Sequence, residues 1–230
     1  YARSFSEGAE IFFGGMGDHW NVPACDFDPT GDYDTKIHQT VDFHTQAVRE
    51  WTADHIRAGV HSTELFADAT IDFLRHQHAG DRPFFSYVSF MAPHDPRTMP
   101  DKFLHLYPAD EIELPANFMS EHPFDNGELT IRDEVLAAHP RSEAETREHL
   151  AAYYAMISHV DHHIGRVLTA LDEEGLRDDT IIVFAGDNGL AVGQHGLFGK
   201  QSVYDHSVHV PLIFAGPNIP QGQQRDALTG

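Results

Sequence analysis

The stretch that decides the fold is TIIVFAGDNGLAVGQHGLFGK, residues 180–200. An apolar, β-branched run at 180–184 predicts a buried strand, and it ends in Gly186-Asp187-Asn188-Gly189. Two hard oxygen ligands thus stand side by side where the strand gives out. A loop with four glycines (189, 193, 196 and 199) follows, and Lys200 closes it. Glycine lets backbone come close to a ligand, and lysine is a compact cation suited to an anionic oxygen. A metal pair and a cation at the carboxyl end of a strand form the layout of a site for phosphate or sulfate esters.

Working outward, residues 210–214 (Val-Pro-Leu-Ile-Phe) read as a second short strand. Upstream, Ser142 and Glu145 form a Ser-x-x-Glu capping box that opens a long helix. Leu150, Tyr154, Ile157, Asp161, Ile164, Leu168 and Leu171 follow a 4-3-4-3 spacing, which predicts a core-facing stripe ending near Gly175. Asp161 on that stripe is expected to face inward and to be paired, since an unpaired buried carboxylate is costly. Residues 59–78 predict another helix, with Leu65, Ala69, Phe73 and Leu74 on one face and Gly80 ending the run. Residues 83–91 (PFFSYVSFM) read as a buried strand that breaks into Ala92-Pro93-His94-Asp95-Pro96. Residues 1–58 read as mostly loop, and 97–141 as a proline-rich excursion. Helices alternating with strands, and candidate residues at strand ends, predict an α/β layered fold with a central, largely parallel or mixed sheet flanked by helices.

Composition narrows the function. A chain of 230 residues, 41% hydrophobic with 16 Phe and 7 Tyr, can bury a core. A formal net charge of −21 argues against nucleic acid as a partner and means that an anionic substrate needs a local cationic pocket. No apolar run is long enough to span a membrane. The single cysteine, Cys25, cannot form an internal disulfide. The chain begins with Tyr1 and ends at Gly230 in a loop-like stretch, so it reads as a piece of a longer polypeptide. Location stays open, periplasmic or extracellular placement being compatible with the sequence, and so does oligomeric state.

Each motif has a bland reading. Asp-Asn-Gly alone is a common turn; a loop histidine or a surface lysine needs no task. What outweighs those readings is that His94, Asp187-Asn188 and Lys200 all fall in strand-end loops, with the prolines around His94 fixing its direction. Those four residues are expected to converge on one pocket at the carboxyl edge of the sheet. A zinc site built from His159, His162, His163, His206 and His209 is the rival. It lacks an H-E-x-x-H motif, and Val160 stands where a catalytic Glu would be needed.

The chain resembles the sulfatase family of the alkaline-phosphatase-like superfamily, in its bacterial arylsulfatase and choline-sulfatase-like branch. The resemblance is carried by FFGGMGDH (12–19), HSTELFADATIDFL (61–74), PFFSYVSFMAPHDPR (83–97), YYAMISHVDHHIGRVLTALDEEGL (153–176) and residues 180–220. It implies an alkaline-phosphatase-like fold and hydrolysis of a sulfate ester in a sulfated small molecule or carbohydrate. It implies metal ligation by Asp187 and Asn188, usually to Ca2+, with Mg2+ or another divalent cation as alternatives. It gives Lys200 and His94 catalytic roles and direct sulfate contacts, and makes Arg97 and His195 flanking substrate contacts.

The departures matter as much. The family's nucleophile is a formylglycine made from Cys or Ser in a C/S-x-P-x-R motif, and Cys25 sits instead in Pro-Ala-Cys-Asp-Phe. The upstream Asp pair and the G-K-x-H segment are also absent, and His209 stands where relatives often carry arginine. Residues 1–230 are therefore expected to be part of a single sulfatase catalytic domain, without its amino-terminal nucleophile segment and carboxyl-terminal subdomain, and inactive alone. A phosphonate or phosphate ester hydrolase of the same superfamily, and a catalytically inactive ligand-binding fragment, are the alternatives.

Overall fold

A computed structural model describes residues 4–14, 17–33, 36, 40–41, 48–49, 53–77 and 82–225. Gly80, expected to end the first helix, lies outside the described residues, as do parts of the 1–58 region. In chain order come β1 (Pro23–Ala24), β2 (Thr40–Val41), β3 (Val48–Arg49), β4 (His55–Ile56), α1 (Ser62–Arg75), α2 (Asp101–Leu104), α3 (Glu143–Glu173), β5 (Ile182–Ala185), α4 (Asp205–Val208) and β6 (Leu212–Ala215). The class is α/β. Its sheets are small: β1 pairs with β4, β2 with β3 and β5 with β6, each pair antiparallel. No parallel ladder occurs among the described residues.

The α3 helix organises the core. At its start the Ser142 hydroxyl accepts the Glu145 N–H at 3.2 Å, one half of the expected capping box. The Glu145 carboxylate takes the Ala138 N–H instead of reaching back to Ser142. From there α3 runs 31 residues, about 45 Å at 1.5 Å per residue. Its first turns, through Leu150 and Ala151, pack on Val192 and Phe198 of the glycine-rich loop. The middle, through Ala155 and Met156, packs on Ala92 and Met99 around the His94 loop. Its last turns, through Ala170 and Leu171, pack on Ile71 and Leu74 of α1 and on Ile182 of β5. One helix thus sets the spacing of the three segments that carry the candidate site residues.

The expected stripe on α3 is corrected. The buried arc is Thr146, Leu150, Ala151, Ala155, Met156, His159, His163, Ala170 and Leu171, whereas Tyr154, Ile157 and Asp161 are exposed. Asp161 does not face inward. Rotating the helix puts small alanines against α1 and α2, where close approach of backbones is needed, and leaves the carboxylate in water at no desolvation cost. An Arg166–Asp68 ion pair at 2.7 Å links α3 to α1 across this contact.

The strands differ from expectation in burial. Val183 is 54% and Phe184 40% exposed, and the 83–91 segment is extended without a ladder partner, leaving Phe85 and Tyr87 exposed. No element among the described residues covers these apolar faces. The proline-rich excursion holds only α2 and two 3₁₀ turns, Ala109–Glu111 and Arg132–Leu136. Among the described residues no helix is long and apolar enough to cross a membrane.

Candidate functional site

His94, Asp187, Asn188 and Lys200 all line one open cavity of about 1360 Å³. Asp95, Asp133 and Tyr153 line it too. Arg97 and His195 are not on its wall.

Lys200 is presented by a loop clamped from below. The buried Glu134 carboxylate accepts the Phe198 N–H at 3.0 Å and the Gly199 N–H at 2.9 Å, the two peptides before Lys200. Arg141 pairs with the same carboxylate at 2.6 Å, donates to the Gly196 carbonyl at 3.1 Å and lies over the Phe198 ring. A Cβ on Gly199 would come 2.3 Å from the Gln201 amide oxygen and 2.8 Å from the Glu134 carboxylate, so a side chain there would have to displace both. The Lys200 ammonium has no hydrogen bond or ion pair among the described residues and is half-buried.

Asp187 and Asn188 follow β5 and are exposed. Gly186 N–H donates to the Pro211 carbonyl at 3.1 Å and Gly189 N–H to that of Ser207 at 2.9 Å, which pins both ends of the turn. A Cβ on Gly189 would overlap the His206 carbonyl at 1.9 Å, so the close approach demands glycine. The Asn188 N–H donates to Asp187 Oδ1 at 2.9 Å, leaving the other Asp187 oxygen and the Asn188 amide oxygen for a ligand. Both are hard donors that fit a divalent cation. By themselves they make an incomplete shell, and no group of three or more His, Cys, Asp or Glu residues arranged to hold a metal occurs among the described residues.

His94 donates through Nδ1 to the Asp95 carbonyl at 3.2 Å, which assigns Nε2 as its remaining nitrogen. Arg97 does not line the cavity; it sits behind Asp95 and Tyr153, which do. Its side chain is 5% exposed, its Nε lies 3.1 Å from Asp95 Oδ1, it donates to His149, and its guanidinium faces the Tyr153 ring. Burial pulls its pKa down while the Asp95 charge opposes that shift. Arg97 therefore braces the loop from inside. His195 does not line the cavity either: its ring stacks on Tyr204 at 4.4 Å, and Asn117 donates to its Nε2 at 3.0 Å.

Sequence reasoning missed Asp133, Tyr153 and the Glu134–Arg141 clamp. Tyr153 is visible in hindsight as the inner neighbour of Tyr154 once α3 is rotated. Glu134 meets residues 64 and 65 positions away, a contact that no local pattern signals. The zinc candidates fall apart: His159 and His163 are buried with their rings packed edge to face at 4.8 Å, while His162 and His209 are exposed. Cys25 is fully buried off the cavity wall, and burial pushes its thiol pKa up, against reactivity.

This arrangement meets its counterpart among known proteins. The sulfatase family profile matches residues 12–230, and the chain belongs to the sulfatase family. It is 35% identical over 151 residues to a sulfatase of Formosa agariphila, covering 64% of this chain and 30% of that protein. It is 30% identical over 187 residues to an arylsulfatase of Clostridium perfringens, covering 80% of this chain and 37% of that protein. Among solved structures, the phosphonate monoester hydrolase of Agrobacterium radiobacter superposes with a TM-score of 0.59 at 29% identity, covering 67% of this chain and 33% of that one. The fold is accordingly of the alkaline-phosphatase-like α/β class. The chain spans about a third of the length of these relatives. The family generally uses a divalent metal ion.

Proposed function

We propose that this chain is the sulfate-holding part of a sulfuric ester hydrolase acting on a sulfated small molecule or carbohydrate. The observation that carries the reading is that Lys200, His94, Asp187 and Asn188 all line one cavity, in a chain of the sulfatase family. Lys200 places a positive charge against a sulfate oxygen and the bridging ester oxygen, where negative charge grows as the S–O bond breaks. His94 would act as the acid from its doubly protonated ring, giving the Nε2 proton to the departing alkoxide, while its Nδ1–H bond to the Asp95 carbonyl keeps the ring aimed. Asp187 and Asn188 would hold the divalent ion, calcium in this proposal, and the ion would supply Lewis-acid stabilisation of the sulfate oxygens. Calcium takes about six to eight oxygens, so further ligands come from polypeptide beyond these residues. So does the nucleophile, since no C/S-x-P-x-R motif occurs here.

Assaying the 230-residue chain with an aryl sulfate and calcium, beside a longer polypeptide that includes an upstream C/S-x-P-x-R segment, tests this. Turnover by the longer protein alone is expected. Equal turnover by both would place the nucleophile within these residues and overturn the assignment. The likeness to a phosphonate monoester hydrolase favours a second reading, in which the same residues hold a phosphonate or phosphate ester. Comparing kcat/KM on paired aryl sulfate and aryl phosphonate substrates separates the two.

A further inference from the structure

We propose that His19 and His61 are positioning residues that hold the His94 loop from behind, so that the His94 imidazole faces the cavity. The inference rests on the reading of His94 as a sulfate contact and adds residues that lie outside the cavity.

Both histidines are fully buried. His19 Nε2 lies 2.9 Å from the His94 carbonyl oxygen. A carbonyl can only accept, so Nε2 carries the proton, and the Ser62 hydroxyl donates to Nδ1 at 2.6 Å. His61 repeats the pattern. Its Nε2 donates to the Thr98 carbonyl at 2.9 Å, and its Nδ1 accepts the Thr63 N–H at 3.1 Å as the cap of α1. The two rings are parallel, 4.9 Å apart with 2° between their planes. Trp20 and His159 each meet the His61 ring edge to face, at 5.0 and 4.5 Å, and pack it on two further sides. A stacked pair seated on the first turn of α1 thereby grips two carbonyls, at His94 and Thr98, on either side of the Asp95–Arg97 ion pair. The grip is neutral, and every ring nitrogen in it has a partner.

Two packing histidines would need the space but not the reach. Asparagine separates these roles: at position 19 or 61 it can still accept from Ser62 or Thr63, and it caps helices well, but its shorter amide cannot reach the loop. The test is two-bond ¹H–¹⁵N histidine correlation on the full 230-residue chain, with inorganic sulfate as the probe. His19 and His61 are expected as Nε2–H tautomers and His94 as Nδ1–H. In His19→Asn and His61→Asn, His94 should lose its single tautomer, and sulfate affinity should fall about 3- to 10-fold, the scale of one neutral hydrogen bond. The thermal midpoint should fall as well, because the His94 or Thr98 carbonyl loses its donor. His19→Gln and His61→Gln, whose amide N–H can reach the same carbonyls, should restore the His94 signal and decide the matter if the Asn variants unfold. Unchanged His94 tautomer and sulfate affinity in folded variants, or Nδ1–H tautomers at positions 19 and 61, would overturn the proposal. A native His94 that ignores sulfate would count against the sulfate reading alone, because the tautomer comparison still judges the grip.

Discussion

Single side chains decide binding and pH response. Lys200 has no competing partner among the described residues, so its charge is available to an anion, and a charge-assisted bond contributes more than a neutral one. Lys200→Ala should therefore weaken inorganic sulfate binding about 10- to 100-fold, read by calorimetry, with no loss of fold. The buried histidines carry a second expectation. Burial, the largest cause in each case, lowers His61 and His163 from 6.5 to about 4 and His159 to about 3. Neighbouring His19 and the Arg166 guanidinium add to the depression of His61 and His163 respectively, while Asp18 and Asp68 oppose it. The unfolded chain then binds more protons than the folded one between these values, so stability rises with pH across that window. It is fully present above pH 6.5 and is lost progressively as pH falls toward 4. Urea midpoints at pH 7.5, 6 and 5 should decline in that order, within the range set by these shifts. A flat profile would mean that these rings are not buried neutral.

Elements matter through what they present. On α3 the buried arc is carried by Ala155 and Met156 and not by Asp161. Met156→Ala should destabilise by about 2–5 kcal/mol, whereas Asp161→Ala should change stability by no more than about 0.5 kcal/mol. Chemical denaturation of both variants checks the rotation directly, and a large loss on Asp161→Ala would restore the inward-facing stripe. The clamp under the glycine-rich loop makes a different forecast. Arg141→Ala leaves Glu134 as a buried carboxylate without its cation and should cost about 3–5 kcal/mol. Much of α3's first-turn packing on Phe198 should survive, so the loss is expected to show first as faster hydrogen exchange at Phe198 and Gly199.

At the scale of the molecule, the apolar faces of β5 and β6 and the 83–91 segment stand exposed, next to a net charge of −21. Exposed apolar surface of this kind marks a place for more protein. With about a third of its relatives' length in hand, this chain is proposed to form one part of a single catalytic domain. The chain alone should bind a hydrophobic dye such as ANS, and a longer polypeptide carrying the upstream segment should bind less per molecule and unfold at a higher temperature. Equal dye binding by both would remove this expectation.

By itself the sequence determined the α/β class and the family, and it pointed to four residues that line one cavity in the structure. These are local facts, carried by hydrophobic period, by glycine where backbone must come close, and by ligand types in unbroken motifs. The tertiary structure decided which way α3 turns, because a 4-3-4-3 spacing fits two neighbouring arcs and only the close approach of α1 and α2 selects the one lined with alanine. It also left Arg97 and His195 off the cavity wall, Arg97 paired with Asp95 and His195 stacked on Tyr204. Glu134 under Lys200 and His19 behind His94 became visible only when residues 65 and 75 positions apart were brought within hydrogen-bond distance.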